Sequence, residues 1–387
     1  MKKEIQTSSL LDERLSIISA AKNAAGLRQR LAALWPELAT KSLKEIAIVG
    51  SADEGVRLAA LCSEFGIAIR AIADDNTTKH SQIIEGCKVT PVDSLSNLPR
   101  DLPIIVASHR SLLPVRRLRA MGFLTVAPFM VLQLLDPSNF TPHMFHKGLL
   151  EDLSENLDNY RELGLRLADE TSRKVLAAVI AYRMDCDPEA LGEVVEWDLY
   201  GPNELLEYSN EEVYVDGGAF DGDSIRLFIQ RVGGKYSRVL GFEPDPVTFK
   251  RLNSNFSNEP RVEPINAGLH KAIGTLRFDD AGTRGSILVE SGGIEVPVVA
   301  LDGILNGERV SYIKMNIEGA EIDALHGGAK SIKQWSPKLA ISAYHFADHL
   351  WRIPQTISEI RPDYKLYFRQ HDGGIIETVV FAFPEKA

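Results

Sequence analysis

Val213-Tyr214-Val215-Asp216-Gly217-Gly218-Ala219-Phe220-Asp221-Gly222 is the stretch on which the reading of this chain turns. A short β-branched run ends in a carboxylate, and a glycine pair, a small residue and a third glycine follow. Asp223-Ser224-Ile225-Arg226-Leu227-Phe228 then opens a helical pattern. Strand, tight turn and helix N-terminus in that order make a nucleotide cradle. Gly217 and Gly218 are expected to let the backbone turn sharply and approach a ligand where a Cβ would collide. A second strand, Arg238-Val239-Leu240-Gly241-Phe242-Glu243, also ends in a carboxylate. An acid at the tip of the strand after a glycine loop suits a ribose diol, because it accepts two hydrogen bonds.

Asp216, at the strand tip before the glycines, would repel a pyrophosphate but can order a cationic amino-acid ligand. The ligand expected is therefore S-adenosylmethionine rather than a dinucleotide. Asp216, Gly217, Gly218, Ala219, Phe220 and Asp221 in the first turn, Glu243 and Pro244 in the second, and Asn266 and Ala267 after the third strand are the expected cofactor-binding residues.

At 387 residues the chain exceeds one ordinary core, which makes two domains the default. A net charge of −10 argues against nucleic acid as the main partner. Cys62, Cys87 and Cys186 are scattered and lack metal-ligand spacing, as in a reducing cytosol. No apolar segment follows Lys2 and Lys3, and the apolar run Phe123 to Leu135 is too short and too interrupted to span a bilayer. A cytoplasmic location without a membrane span is expected.

The fold class expected is α/β with two Rossmann-like domains. Residues 1–140 read as an amphipathic helix, Ser9 to about Leu38, and an α/β module with strands Lys44–Gly50, Ile67–Asp74 and Pro103–Ser108. The loop of this module, Gly50-Ser51-Ala52-Asp53-Glu54-Gly55, has Ala52 where a dinucleotide fingerprint has its second glycine. Its two acids repel phosphate, so a scaffold or a sugar- or nucleotide-recognising module is favoured, although Asp74 stands where a ribose-binding acid would. Residues 141–200 read as a helical bridge. Within it His143 and His146 have no thiol or carboxylate neighbour in sequence and read as ordinary core or surface residues.

Residues 201–387 read as a parallel sheet. Its strands are Val213–Asp216, Arg238–Glu243, Arg261–Asn266, Ser311–Ile317 and Lys338–Tyr344, with an inserted β segment around 274–299. Lys365–Arg369 and Thr378–Phe383 finish it as an antiparallel hairpin. That is the arrangement of a class I methyltransferase.

Four stretches of this half closely resemble the FkbM family of S-adenosylmethionine-dependent methyltransferases. They are Val215 to Ser224, Phe242-Glu243-Pro244-Asp245-Pro246, Ile313-Lys314-Met315-Asn316-Ile317-Glu318-Gly319-Ala320-Glu321, and Tyr344-His345 with Leu350-Trp351-Arg352-Ile353-Pro354. The N-terminal half bears only a fold-level resemblance to Rossmann-like modules attached to sugar-modifying enzymes. The family resemblance implies O-methylation of a sugar, polyketide or lipid-linked hydroxyl, here most simply a sugar or glycan hydroxyl. A polyketide, lipid or peptide acceptor, or a non-catalytic binding or assembly role, is the alternative. Partners implied are a small-molecule or glycan acceptor, with self-association into a homo-oligomer left open.

This chain departs from the family at Asn316, where the resemblance leads one to expect aspartate. An amide keeps the hydrogen-bonding shape but loses charge and cannot take a proton. His345, at the tip of the fifth strand, and Glu318 and Glu321, just after the fourth, are the expected catalytic residues together with Asn316, His345 being the expected base. His345, Asp348 and His349 are a weaker grouping for a metal, and no metal is expected. Gly285-Ser286 in the inserted segment is expected to close over the substrate.

Overall fold

The computed structural model describes residues 4–39, 43–201, 205–278 and 294–384; the proposed lid at Gly285-Ser286 lies outside them. The chain forms two compact units. One comprises Met1–Gly164, Glu170–Trp197 and Gln370–Glu377, and the other Leu165–Asp169, Asp198–Arg369 and Thr378–Ala387. The helices expected as a bridge therefore group with the first unit, apart from residues 165–169.

In the first unit the amphipathic stretch makes two helices, Glu4–Ala21 and Ala24–Leu34, rather than one. Lys22 breaks it with φ of 69°, and the Asn23 side chain accepts from the Gly26 N–H to cap the second helix. The sheet contains β1 (Glu45–Val49), β2 (Ala68–Ala73), β3 (Ile83–Ile84), β4 (Cys87–Thr90), β5 (Ile104–Val106) and β6 (Val126–Pro128), in the order β3-β4-β2-β1-β5-β6. All pairs are parallel except the β3–β4 hairpin at the edge. Buried Ala47, Val49, Ile104 and Val106 meet Val115 and Leu118 of the helix Leu112–Ala120 to form its core.

The second unit contains β7 (Val213–Gly217), β8 (Arg238–Phe242), β9 (Val262–Ile265), β10 (Gly268–Leu269), β11 (Gly274–Phe278), β12 (Ile294–Val299), β13 (Tyr312–Met315), β14 (Lys338–Ser342), β15 (Tyr364–Gln370) and β16 (Thr378–Pro384). The main sheet runs β15-β16-β14-β13-β7-β8-β9, and β10, β12 and β11 form a small separate sheet. β9, β8, β7, β13 and β14 are parallel, whereas β16 is antiparallel to β14. The order reverses at β7, which places a topological switch point between β7 and β13. Under the sheet Tyr214 stacks between Phe228 and Tyr312, at 4.4 and 5.0 Å between ring centroids. Phe228 and Ile225 are the buried face of the helix Asp223–Arg231, so these rings fix the helix that follows the glycine turn.

Candidate active site

Among the described residues, the carboxyl ends of β7, β8, β13 and β14 carry every residue singled out above in this unit except Asn266 and Ala267, which follow β9. Gly218 has φ of +74°, and a Cβ there would stand 2.0 Å from the Asn316 carbonyl oxygen. Its glycine is therefore demanded by close packing on the end of β13. The expected reason, close approach to a ligand, is not what this geometry shows. Phe220 in the same turn has φ of 50°, and Glu318 in the turn after β13 has φ of 52°. Two non-glycine residues in the left-handed region face the switch point, where such strain persists only if the surroundings enforce it.

Asp216 is wholly buried and does not project into a ligand site. In the β7–β13 register it lies beside Lys314, whose ammonium donates to the Asp216 carboxylate at 2.8 Å. The same ammonium donates to the Gly217 and Gly218 carbonyls at 3.1 and 2.9 Å, and the Ser224 hydroxyl donates to the other Asp216 oxygen. Asp216 thus holds the lysine that holds the glycine turn, a correction to its expected role as an orienting charge for the ligand. Burial raises its carboxyl pKa, against the opposing pull of Lys314. Asp221 pairs with Arg226 at 2.9 Å, and its carbonyl accepts from Asn255 at the same distance. Ala219 is fully buried and donates its N–H to the Phe242 carbonyl.

Glu243 accepts the Phe220 N–H at 3.0 Å through one oxygen and the Asp245 N–H at 2.9 Å through the other. It therefore ties the two turns together and keeps a further lone pair on each oxygen. Burial pushes its carboxyl from 4.5 up to about 7, against the lowering effect of the two N–H donors. Asn266 donates to the Glu243 and Pro244 carbonyls at 2.9 and 3.0 Å, which fixes the second turn, and Ala267 is buried beside it.

Asn316 sits between two tyrosines. Its amide donates to the Tyr200 hydroxyl at 3.0 Å, and its carbonyl accepts from the Tyr344 hydroxyl at 3.2 Å. Both ends of the amide are used, which a carboxylate without a proton cannot reproduce unless Tyr200 reverses its hydroxyl.

Glu318 retains an exposed side chain, at 25%, and His345 none. Imidazole Nε2 of His345 is 3.6 Å from Glu318 Oε2. A group with no accessible surface cannot touch an acceptor hydroxyl, so the expected role of His345 as the base is corrected: it stands behind Glu318. Burial raises the Glu318 carboxyl pKa, opposed by His345 and reinforced by Glu321. Glu321 is also wholly buried, accepting the Ile317 N–H at 2.8 Å, with His345 Nδ1 at 3.0 Å and His349 Nδ1 at 3.4 Å. Burial would raise its carboxyl, but the two imidazoles outweigh this and hold it well below the usual range. Asp348 pairs with Arg352 at 2.7 Å, so the grouping with His345 and His349 takes Glu321 in its place. Lys314, Tyr200 and Tyr344 were not singled out from sequence as site residues, and His349 only within the weaker metal grouping. For Lys314 the available signal was a charge near the end of a buried-type strand.

In the first unit Asp74 accepts from the Ser51 N–H and hydroxyl, at 2.8 and 2.7 Å, and from the Asn76 N–H at 2.8 Å. Its oxygens are thereby engaged within their own loops. His143 and His146 cluster with His109, and burial lowers the pKa of His109 to about 3 and of His143 to about 4. His146 Nδ1 lies 2.6 Å from Gln133 Oε1, and Glu54 approaches His143 to 3.8 Å. The carboxylate neighbour that the sequence did not show is thus supplied by the fold.

Residues 216–371 match the family model of the methyltransferase FkbM domain. Over 144 residues the chain is 26% identical to the hexuronic acid methyltransferase AglP of Haloferax volcanii, a match covering 35% of this chain and 60% of that relative's length. The crystal structure of methyltransferase FkbM from Methylobacillus flagellatus KT superimposes with a TM-score of 0.77 at 24% identity, covering 97% of this chain and all of that one. Among the described residues no helix is long and apolar enough to cross a membrane.

Proposed function

We propose, from the match of residues 216–371 to the methyltransferase FkbM family model, that this protein is an S-adenosylmethionine-dependent O-methyltransferase acting on a hydroxyl of a sugar or glycan. The observation that carries the reading is the shared edge. A glycine turn locked by Lys314 and Glu243, and a strained, partly exposed Glu318, stand at the carboxyl ends of adjacent strands. The sugar class is supported by the relative named as a hexuronic acid methyltransferase. The non-catalytic alternative finds no comparable support.

The residues present fit the cofactor. Buried Glu243 keeps a further lone pair on each oxygen for two ribose hydroxyls. When bound, S-adenosylmethionine supplies an electrophilic methyl group. The protein's part is to align the acceptor oxygen, exclude water and remove the hydroxyl proton. Glu318 takes that proton, its basicity raised by burial, while His345 and Glu321 behind it fix its position. Asn316 and its two tyrosines hold the floor of the turn.

The test is a screen of uronic-acid and neutral glycans with methyl-labelled cofactor. Label is expected on an oxygen of a sugar. Transfer to polyketide, lipid or peptide acceptors alone would move the substrate class, and no transfer to any acceptor would favour the binding role.

Glu243 also sets a pH dependence. The free enzyme holds a proton on this carboxyl up to about pH 7, and ribose binding requires the anion. Cofactor affinity is therefore expected to fall as pH drops through that value, roughly tenfold per unit below it. Calorimetry at pH 6, 7 and 8 measures this, with Glu243→Gln weaker and flat. A flat wild-type profile would place the ribose elsewhere.

A further inference from the structure

Three buried side chains from separate elements meet behind Glu318. Glu321 begins the helix Glu321–Gly327 after β13, His345 follows β14, and His349 heads the helix His349–Ile360. Their exposures are 0%, 0% and 3%, and one ligand atom from each lies within 4.8 Å of the others.

We propose that Glu321, His345 and His349 bind a divalent transition-metal ion of the zinc type. The proposal does not depend on the identity of the acceptor or of the methyl donor. One carboxylate and two imidazoles are a donor set that zinc takes with a fourth position left over. The 3.4 Å between Glu321 Oε2 and His349 Nδ1 matches the edge of a tetrahedron of ligands, which for metal–ligand bonds near 2.1 Å is about 3.4 Å, while His345 Nδ1 stands 3.0 Å from the other oxygen of the same carboxylate, Oε1.

Glu321 Oε2 and His349 Nδ1, both buried and 3.4 Å apart, make no hydrogen bond among the described residues. Close approach without hydrogen-bond direction is what donors aimed at a common centre show, and orphaned buried polar atoms are otherwise costly. Glu318 Oε2 likewise makes no hydrogen bond among the described residues and stands 3.6 Å from His345 Nε2, the ring nitrogen opposite the one that faces Glu321. The ion would pin the turn after β13 to the end of β14, and so fix Glu318. In this role His345 and Glu321 are positioning residues.

The experiment uses the full chain, stripped with chelator and titrated with Co²⁺ as an optical probe and with Zn²⁺ in competition. One equivalent is expected, with the visible bands of a tetrahedral cobalt site that Zn²⁺ abolishes. Affinity is expected to fall at least about a hundredfold in His349→Ala and in Glu321→Gln. It should be unchanged in His143→Ala, which alters the Glu54–His109–His143 grouping of the first unit. Zn²⁺ should raise the melting temperature of the wild-type chain, a readout that needs no variant. No saturable binding by the wild-type chain would overturn the proposal, as would binding that survives both His349→Ala and Glu321→Gln or that is lost in His143→Ala.

Discussion

Glu318→Gln is expected to lower turnover roughly 10²- to 10⁴-fold while cofactor affinity stays within about twofold. Glutamine keeps the shape of the side chain but loses its charge and its ability to take a proton. The expectation rests on exposure: of the four ionisable groups gathered at this edge, Glu318 has side-chain surface to offer, at 25% against none for His345 and Glu321 and 4% for His349. A second variant separates catalysis from folding. Glu318 has φ of 52°, a conformation that costs an ordinary residue about 1–2 kcal/mol and glycine almost nothing. Glu318→Gly is therefore expected to unfold at the same temperature as the wild-type chain or higher, and still to lose turnover. The measurement pairs turnover on the acceptor found by the labelled screen with calorimetric cofactor affinity. Normal turnover in Glu318→Gln would remove the residue from the chemistry, and a lower melting temperature in Glu318→Gly would mark it as structural.

Lys314→Met is expected to destabilise the second unit by roughly 3–5 kcal/mol, the scale for leaving one partner of a buried ion pair alone. Asp216 would then lie buried without its cation, and the Gly217 and Gly218 carbonyls would lose their shared donor. The sign of the pH dependence follows. Burial already raises the Asp216 carboxyl pKa, and removing Lys314 raises it further. The protonated, neutral form then suits the folded state, so the deficit should shrink as pH falls and grow as it rises. Asp216→Asn in the same background should recover part of the loss at high pH. Urea unfolding of the wild type, Lys314→Met and the double variant at pH 8 and pH 5 measures both effects. A deficit below about 1 kcal/mol at pH 8 would show that the pair does not hold the turn.

The glycine turn and the strands around it were legible because their signals are local: a β-branched run, a carboxylate, then glycines, of which Gly218 and Gly222 take φ of 74° and 90°. The Asp216–Lys314 pair was not, since its partners are far apart in sequence and meet only through the β7–β13 register. In sequence Lys314 reads as one polar residue in Ile313-Lys314-Met315, without a clue that its face is buried. The β3–β4 hairpin was overlooked for another reason. Its two-residue turn, Glu85-Gly86, has positive φ at both positions, as a type I′ turn requires, but carries glutamate where asparagine or aspartate is the usual sign. His345 was correctly placed at the end of its strand, yet strand position says nothing of depth, and Glu321 and His349 close around it from elements on either side. The grouping with Asp348 failed on the same ground, since Arg352 one helical turn along takes that carboxylate.

The central claim is that the domain at residues 216–371 uses S-adenosylmethionine through the turn joined by Glu243. Calorimetry of the full chain at pH 8 with S-adenosylhomocysteine, beside Glu243→Ala and with NAD as the competing ligand, tests it most directly. One saturable site for S-adenosylhomocysteine is expected, at least about tenfold weaker in Glu243→Ala, with no binding of NAD to this site. Absence of S-adenosylhomocysteine binding, or equal affinity in wild type and a folded Glu243→Ala, would contradict it.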